Sequence, residues 1–189
     1  MTDRKLTKST GEHWVCTVLS GLGWAVALTR DGIERTDVLA ASADSSIMIS
    51  VQVKASRSHQ KPNWVLGAKS LLPARTDREW YVLVTLPPTA WEAPVSFVVP
   101  RDHIAAGFWI AYRNWLTEPG VPAGKRNTSV AAAHTFEPVF RGYRDRWDLL
   151  EAPTSAAPVL LPPDYRPLAL DPRVGLPAGH PWQGTLPAW

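Results

Sequence analysis

The chain has 189 residues, 45% hydrophobic and 20% charged, with a formal net charge of +3. That profile fits one globular domain with a substantial core and excludes a disordered or fibrous chain. No apolar run approaches the ~20 residues that span a bilayer, and the first residues lead into no signal-peptide segment, so a cytoplasmic protein with no membrane partner is expected. The small positive charge permits an anionic partner without requiring one.

Taken in order, Ser9 or Thr10 is expected to cap a helix with Glu12 in its first turn, where the macrodipole favours an acid. Val15, Val18, Leu19 and Leu22 recur at helical spacing, and Gly21 and Gly23 mark the end. Positions 12, 15, 16 and 19 share a stripe, which sets Glu12 at the end of the buried face. Cys16, the single cysteine, reads as a small core residue. Residues 24–28 predict a short buried strand, Arg30-Asp31-Gly32 a turn, and a second strand beginning near Thr36 carries Asp37. A polar turn over 43–46 leads into residues 47–56. There Ile47, Ile49, Val51 and Val53 alternate with Met48, Ser50, Gln52 and Lys54, predicting a third antiparallel strand with Gln52 and Lys54 on one face.

Residues 57–78 are polar and basic and predict a short helix or irregular crossover. The near-continuous apolar run over 79–86 predicts a central strand covered on both faces, and 95–99 predicts another. Asp102 is expected to cap a helix carrying Ile104, Phe108, Ala111 and Trp115. A loop over 120–127 carries Lys125 and Arg126, and a last helix is expected from about Pro138 through Phe140, Tyr143, Trp147 and Leu150. This order predicts an α/β (α+β) domain over 1–151 with one mixed sheet flanked by helices. Residues 152–189 hold half of the 18 prolines, without periodicity, and predict an extended Pro-rich tail lying along the domain. The ten tryptophans are scattered and read mostly as core or rim residues.

With the second and third strands adjacent, Asp37 meets Gln52 and Lys54 at one edge of the sheet. The Asp37 carboxylate, the Gln52 amide oxygen and the Val53 carbonyl are oxygen donors suited to magnesium, which keeps several waters and so needs few protein ligands. Lys54 would orient or help deprotonate water and offset charge on a phosphate, with Glu12 acting through water. Taken without Asp37 and Glu12, Gln52 and Lys54 are equally the polar face of an ordinary one-sided sheet. The five histidines are far apart with no zinc spacing, and no phosphate-binding glycine loop or nucleophile elbow is present. Asp145-Arg146-Trp147-Asp148 reads as a solvated helix face.

Gly11-Glu12 in a first helix, a lone Asp37 in a strand, and Gln52-Val53-Lys54 ending the next strand resemble the PD-(D/E)XK nuclease superfamily. The likeness is greatest to Gln-x-Lys variants of the Mrr type and to Holliday-junction-resolvase-like proteins, and covers residues 8–57 well. It implies a restriction-endonuclease-like fold and a Mg- or Mn-dependent endonuclease hydrolysing DNA phosphodiesters. Its site would hold metal on Asp37, Gln52 and Val53 and be completed by Lys54 and Glu12. Ser56, Arg57, Lys61, Lys69 and Arg75 would then lie on the DNA side, where phosphate contacts position the duplex. The resemblance also implies a homodimer or a larger defence or DNA-processing complex. No Pro precedes Asp37, and Gln52 is neutral where most members carry an acid. The alternative on the same fold is a catalytically inactive DNA-binding or protein-interaction module.

Overall fold

Helix α1, Arg4–Gly21, begins well before Ser9 and Thr10, so neither caps it. Thr10 instead donates its hydroxyl back to the Leu6 carbonyl at 2.7 Å, and Glu12 lies mid-helix, not in the first turn. Gly11, Val15 and Leu19 form the buried stripe, whereas Leu22 falls beyond the helix and is exposed. The computed structural model describes residues 4–30, 34–122 and 124–189. Of the expected Arg30-Asp31-Gly32 turn, Asp31 and Gly32 lie outside the described residues.

The main sheet has five strands, in the spatial order β1 (Ala25–Leu28), β2 (Val38–Ala41), β3 (Met48–Ser56), β5 (Glu79–Thr85) and β6 (Val95–Pro100). Strands β1, β2 and β3 form the expected antiparallel meander. Strand β5 runs parallel to β3 and antiparallel to β6. Burial on both faces of β5 matches its continuous apolar run. Strand β1 departs from expectation: as the edge strand it leaves Ala25, Ala27 and Leu28 exposed. Along β3, Ile49, Val51 and Val53 are buried while Met48, Ser50, Gln52 and Lys54 are more open, as the alternation requires.

One glycine sets how α1 meets this sheet. A Cβ at Gly11 would stand 2.5 Å from the Ala55 Cβ, so a larger residue would push the helix off β3. Close contact at Gly11 carries the adjacent Glu12 to the sheet edge.

The basic crossover holds strand β4 (Asn63–Val65) and a 3-10 turn at Ala68–Leu71. Strand β4 pairs with β7 (His134–Phe136) in a second, two-stranded sheet that local patterning did not reveal. Helix α2, Arg101–Leu116, follows β6 directly, and Asp102 does not cap it; its Oδ1 accepts the Ala74 N–H at 2.8 Å. The expected last helix is broken into α3, Glu137–Phe140, and 3-10 turns at Arg141–Tyr143 and Trp147–Glu151. Asp145 adopts a left-handed φ of 51° and donates its N–H to Ser96 O at 2.8 Å, and Arg144 bridges Phe97. Pairing with β6 thus overrides the helical repeat.

Residues 152–189 lie along the domain and include a short helix α4, Tyr165–Leu170. Leu161, Ala169 and Val174 are buried, and backbone carbonyls of the tail accept from α2: Trp109 Nε1 donates to Val174 O at 3.1 Å and Arg113 to Arg173 O at 3.1 Å. Cys16 is partly buried against the main core. Among the described residues, no helix is long and apolar enough to cross a membrane.

Candidate functional site

The register Val38↔Val51 sets Asp37, one residue earlier, opposite Gln52. The Asp37 N–H donates to Val51 O at 2.8 Å, which prolongs the ladder and fixes the carboxylate at the sheet edge. Asp37 Oδ2 accepts two hydrogen bonds, from Gln52 Nε2 and from the Val53 N–H at 2.8 Å. With its NH2 group turned to Asp37, Gln52 directs its amide oxygen elsewhere.

Glu12 approaches from α1. Its side chain is only 14% exposed, and its Oε1 lies 3.4 Å from Lys8 Nζ. Burial, and next the negative charge of Asp37, raise the Glu12 pKa above the usual carboxylate value, while Lys8 acts in the opposite direction. The Asp37 charge therefore works against Glu12 ionising. Lys54 shares this environment: burial lowers its pKa, the charges of Asp37 and Glu12 pull it back up, and Lys8 and Arg101 push it down. Together Glu12, Asp37, Gln52 and Lys54 form one electrostatically coupled cluster.

The cluster opens onto a cleft of about 620 Å³ whose walls include Asp37, Gln52, Lys54, Arg57, Trp64 and His134. Ser56 also borders this cleft; its Oγ accepts the Ser58 N–H at 3.2 Å, and Arg57 Nε donates to Thr7 Oγ1 at 3.3 Å. The other basic residues named from sequence are placed differently. Lys61 stands over the Phe136 ring at 4.7 Å. Lys69 ion-pairs with Glu34. Arg75 lies before β5, at the end of the sheet where Ser50 pairs with Glu79, away from the Lys54 and Ser56 end. Their backbone positions in the crossover scatter them, because that segment splits between the small sheet and the 3-10 turn.

Beside Gln52, on the same face of the sheet, lies a group that local patterning did not single out. Arg101, 1% exposed, stacks over Tyr81 at 5.2 Å, and Tyr81 is the register partner of Gln52. Arg35 NH2 bonds to Glu79 Oε2 at 2.8 Å and to Pro73 O at 2.7 Å; Arg101 Nε lies 3.5 Å from the same Glu79 oxygen. Glu79 Oε1 also accepts the N–H groups of Arg75 and Thr76 at 2.7 and 3.2 Å. Gln52, Lys54, Lys69, Arg35, Tyr81 and Arg101 line a smaller cavity of about 230 Å³ on this side. The one sequence signal was Glu79 itself, a charge opening an otherwise apolar strand.

No family model and no curated protein matches the chain. Among solved structures, the bacterial homing endonuclease I-Ssp6803I is similar over 82% of this chain and 96% of its own, with 18% sequence identity and a TM-score of 0.49.

Proposed function

We propose that this chain is a metal-dependent endonuclease of the PD-(D/E)XK type, hydrolysing DNA phosphodiester bonds with magnesium or manganese. The observation that carries this reading is the convergence of Asp37, Gln52 and Lys54 at the mouth of an open cleft, with the Glu12 carboxyl coupled to Asp37. Among the described residues, no three His, Cys, Asp or Glu side chains gather as a metal cluster, so a divalent ion would need the neutral oxygens as well. The donors present suit that role. Asp37 and the Val53 carbonyl are hard oxygen ligands of the kind magnesium takes, Gln52 would add its amide oxygen by turning over the amide that now faces Asp37, and the Asp37 charge that works against Glu12 ionising favours a cation near them.

When bound, such an ion polarises a phosphoryl oxygen and acidifies water. Lys54, its ammonium form disfavoured by burial, is suited to hydrogen-bond the attacking water and to offset negative charge building on the phosphate. Asp37 anchors the Val53 backbone and orients Gln52. Arg57 and Ser56 at the cleft wall meet the flanking phosphates.

Plasmid DNA incubated with purified protein and magnesium or manganese tests the reading against a Lys54→Ala control. Nicking or linearisation by the wild type alone is expected. Equal, background cleavage by both proteins across supercoiled, linear, branched and single-stranded DNA would overturn it. One observation favours a non-catalytic module on the same fold: Gln52 is neutral and already satisfies Asp37. Calorimetric titration with magnesium separates the two, since heat of binding that disappears in Asp37→Ala supports the enzyme and none in the wild type supports the module.

A further inference from the structure

The outer face of the small sheet links the cleft to a second pocket. Val65 pairs with His134 and Asn63 with Phe136, while their neighbours Trp64 and Thr135 turn inward and are buried. His134 therefore borders both the cleft and a separate pocket of about 390 Å³ walled by Tyr112, Trp115 and Phe136. Trp115 is 41% exposed and Phe136 37%, although aromatic rings gain much from burial.

Both open rings carry a cation. Lys61 Nζ lies 4.7 Å from the Phe136 centroid, and the Arg126 guanidinium lies 5.1 Å from that of Trp115 while pairing with Glu118 at 2.5 Å. The polar edge is oriented as well. Asn63 Nδ2 donates to Lys61 O at 2.8 Å, which leaves Asn63 Oδ1 to accept from His134 Nδ1 at 2.7 Å. In the neutral ring His134 Nε2 is then a hydrogen-bond acceptor.

We infer that this pocket receives an unpaired nucleobase of a strand whose phosphates follow the cleft. Flat aromatic walls match the π-face of any base, the Lys61 ammonium beside Phe136 matches a flanking phosphate, and His134 offers an acceptor to an exocyclic amino group. A base held in a duplex stack cannot enter, so the ligand is single-stranded or locally extruded nucleic acid. This rests on the nucleic-acid part of the proposed function, not on catalysis.

The test is done in EDTA, where cleavage plays no part, with the whole chain and three probes of equal length: a single strand, the same strand made abasic, and a duplex. A fluorescent adenine analogue in the single strand reports stacking. Tighter binding of the intact than of the abasic strand, with quenching of the analogue, is expected. Trp115→Ala and Phe136→Ala should each weaken the intact strand roughly 5- to 150-fold, the span of base–aromatic stacking, and leave the abasic strand unchanged. Trp115→Phe should retain most of the affinity, and thermal melting of each variant reports the fold. Equal binding of intact and abasic strands, equal losses on both, or no binding of any strand overturns the inference. Plasmid cleavage with indistinguishable intact and abasic binding removes the pocket alone; base-dependent binding without cleavage removes the enzyme alone.

Discussion

Two groups of charged residues flank Gln52 and Lys54, and they differ in whether their carboxylates are satisfied. On one side Glu79 is the shared acceptor for Arg35, Arg101 and two backbone N–H groups, so its buried charge is fully engaged. Arg35 in this pair has a left-handed backbone conformation, φ 71°, that a non-glycine residue rarely adopts. On the other side Glu12 lies against Asp37 at the edge of an open cleft, both charges act on Lys54, and burial works against both Glu12 and Lys54 ionising. A buried charge with complete partners is scaffolding. Charges held close without complete partners are what the proposed ligand or proton chemistry would use.

Breaking the satisfied group should produce the largest effect on stability. Glu79→Ala leaves two guanidinium groups without their carboxylate, and chemical denaturation should show a loss of about 3–5 kcal/mol, as for one partner removed from a buried ion pair. Lys54→Ala should do the reverse: the unfolding midpoint stays level or rises, because a lysine disfavoured by burial is gone, while DNA cleavage falls by roughly 10²- to 10⁴-fold. A parallel loss of stability and cleavage in Lys54→Ala would erase the distinction between the two groups.

Gln52→Glu probes the cleft from within. A third carboxylate beside Asp37 and Glu12 should tighten magnesium binding by roughly tenfold to a hundredfold in calorimetry. The metal-free protein should lose stability as pH rises, since the added charge stands beside Asp37, whose charge already works against Glu12 ionising.

The smallest effects carry opposite signs in pH. Glu79 is destabilised as an anion by burial, but hydrogen bonds and the charges of Arg35 and Arg101 outweigh this and lower its pKa. Its contribution is present above the unfolded carboxyl value and is lost as pH falls through the lower folded value. Glu12 has a raised folded pKa, so its contribution is present below the unfolded value and is lost as pH rises through the folded one. Relative to wild type, Glu12→Gln should therefore gain stability as pH rises from 4.5 toward neutrality, whereas Glu79→Gln should lose stability as pH rises from below 4.5 to just above it and then stay level to neutrality. Unfolding curves across that range decide it; the same slope for both variants would contradict the comparison.

Much of the sheet and part of the site were legible in the sequence because they depend on short-range periodicity. Alternation over β3 fixed which side chains share a face, the tight polar turn before it made β2 its antiparallel neighbour, and these two facts bring Asp37 to Gln52. The apolar run of β5 announced a strand covered on both sides. Long-range partners carry no such local period. The start of α1, the break after α3, the pairing of β4 with β7 and the exposure of β1 at the sheet edge each depend on what another segment supplies. The same reason explains the charged groups: Glu12 reaches Asp37 only because Gly11 lets the helix touch Ala55, and Arg35, Glu79 and Arg101 meet only where three separate connections converge. By itself the sequence determined the residue types and the strand face of the site. Tertiary packing alone decided which of its charges were satisfied, because burial and the distance between charges belong to the folded chain.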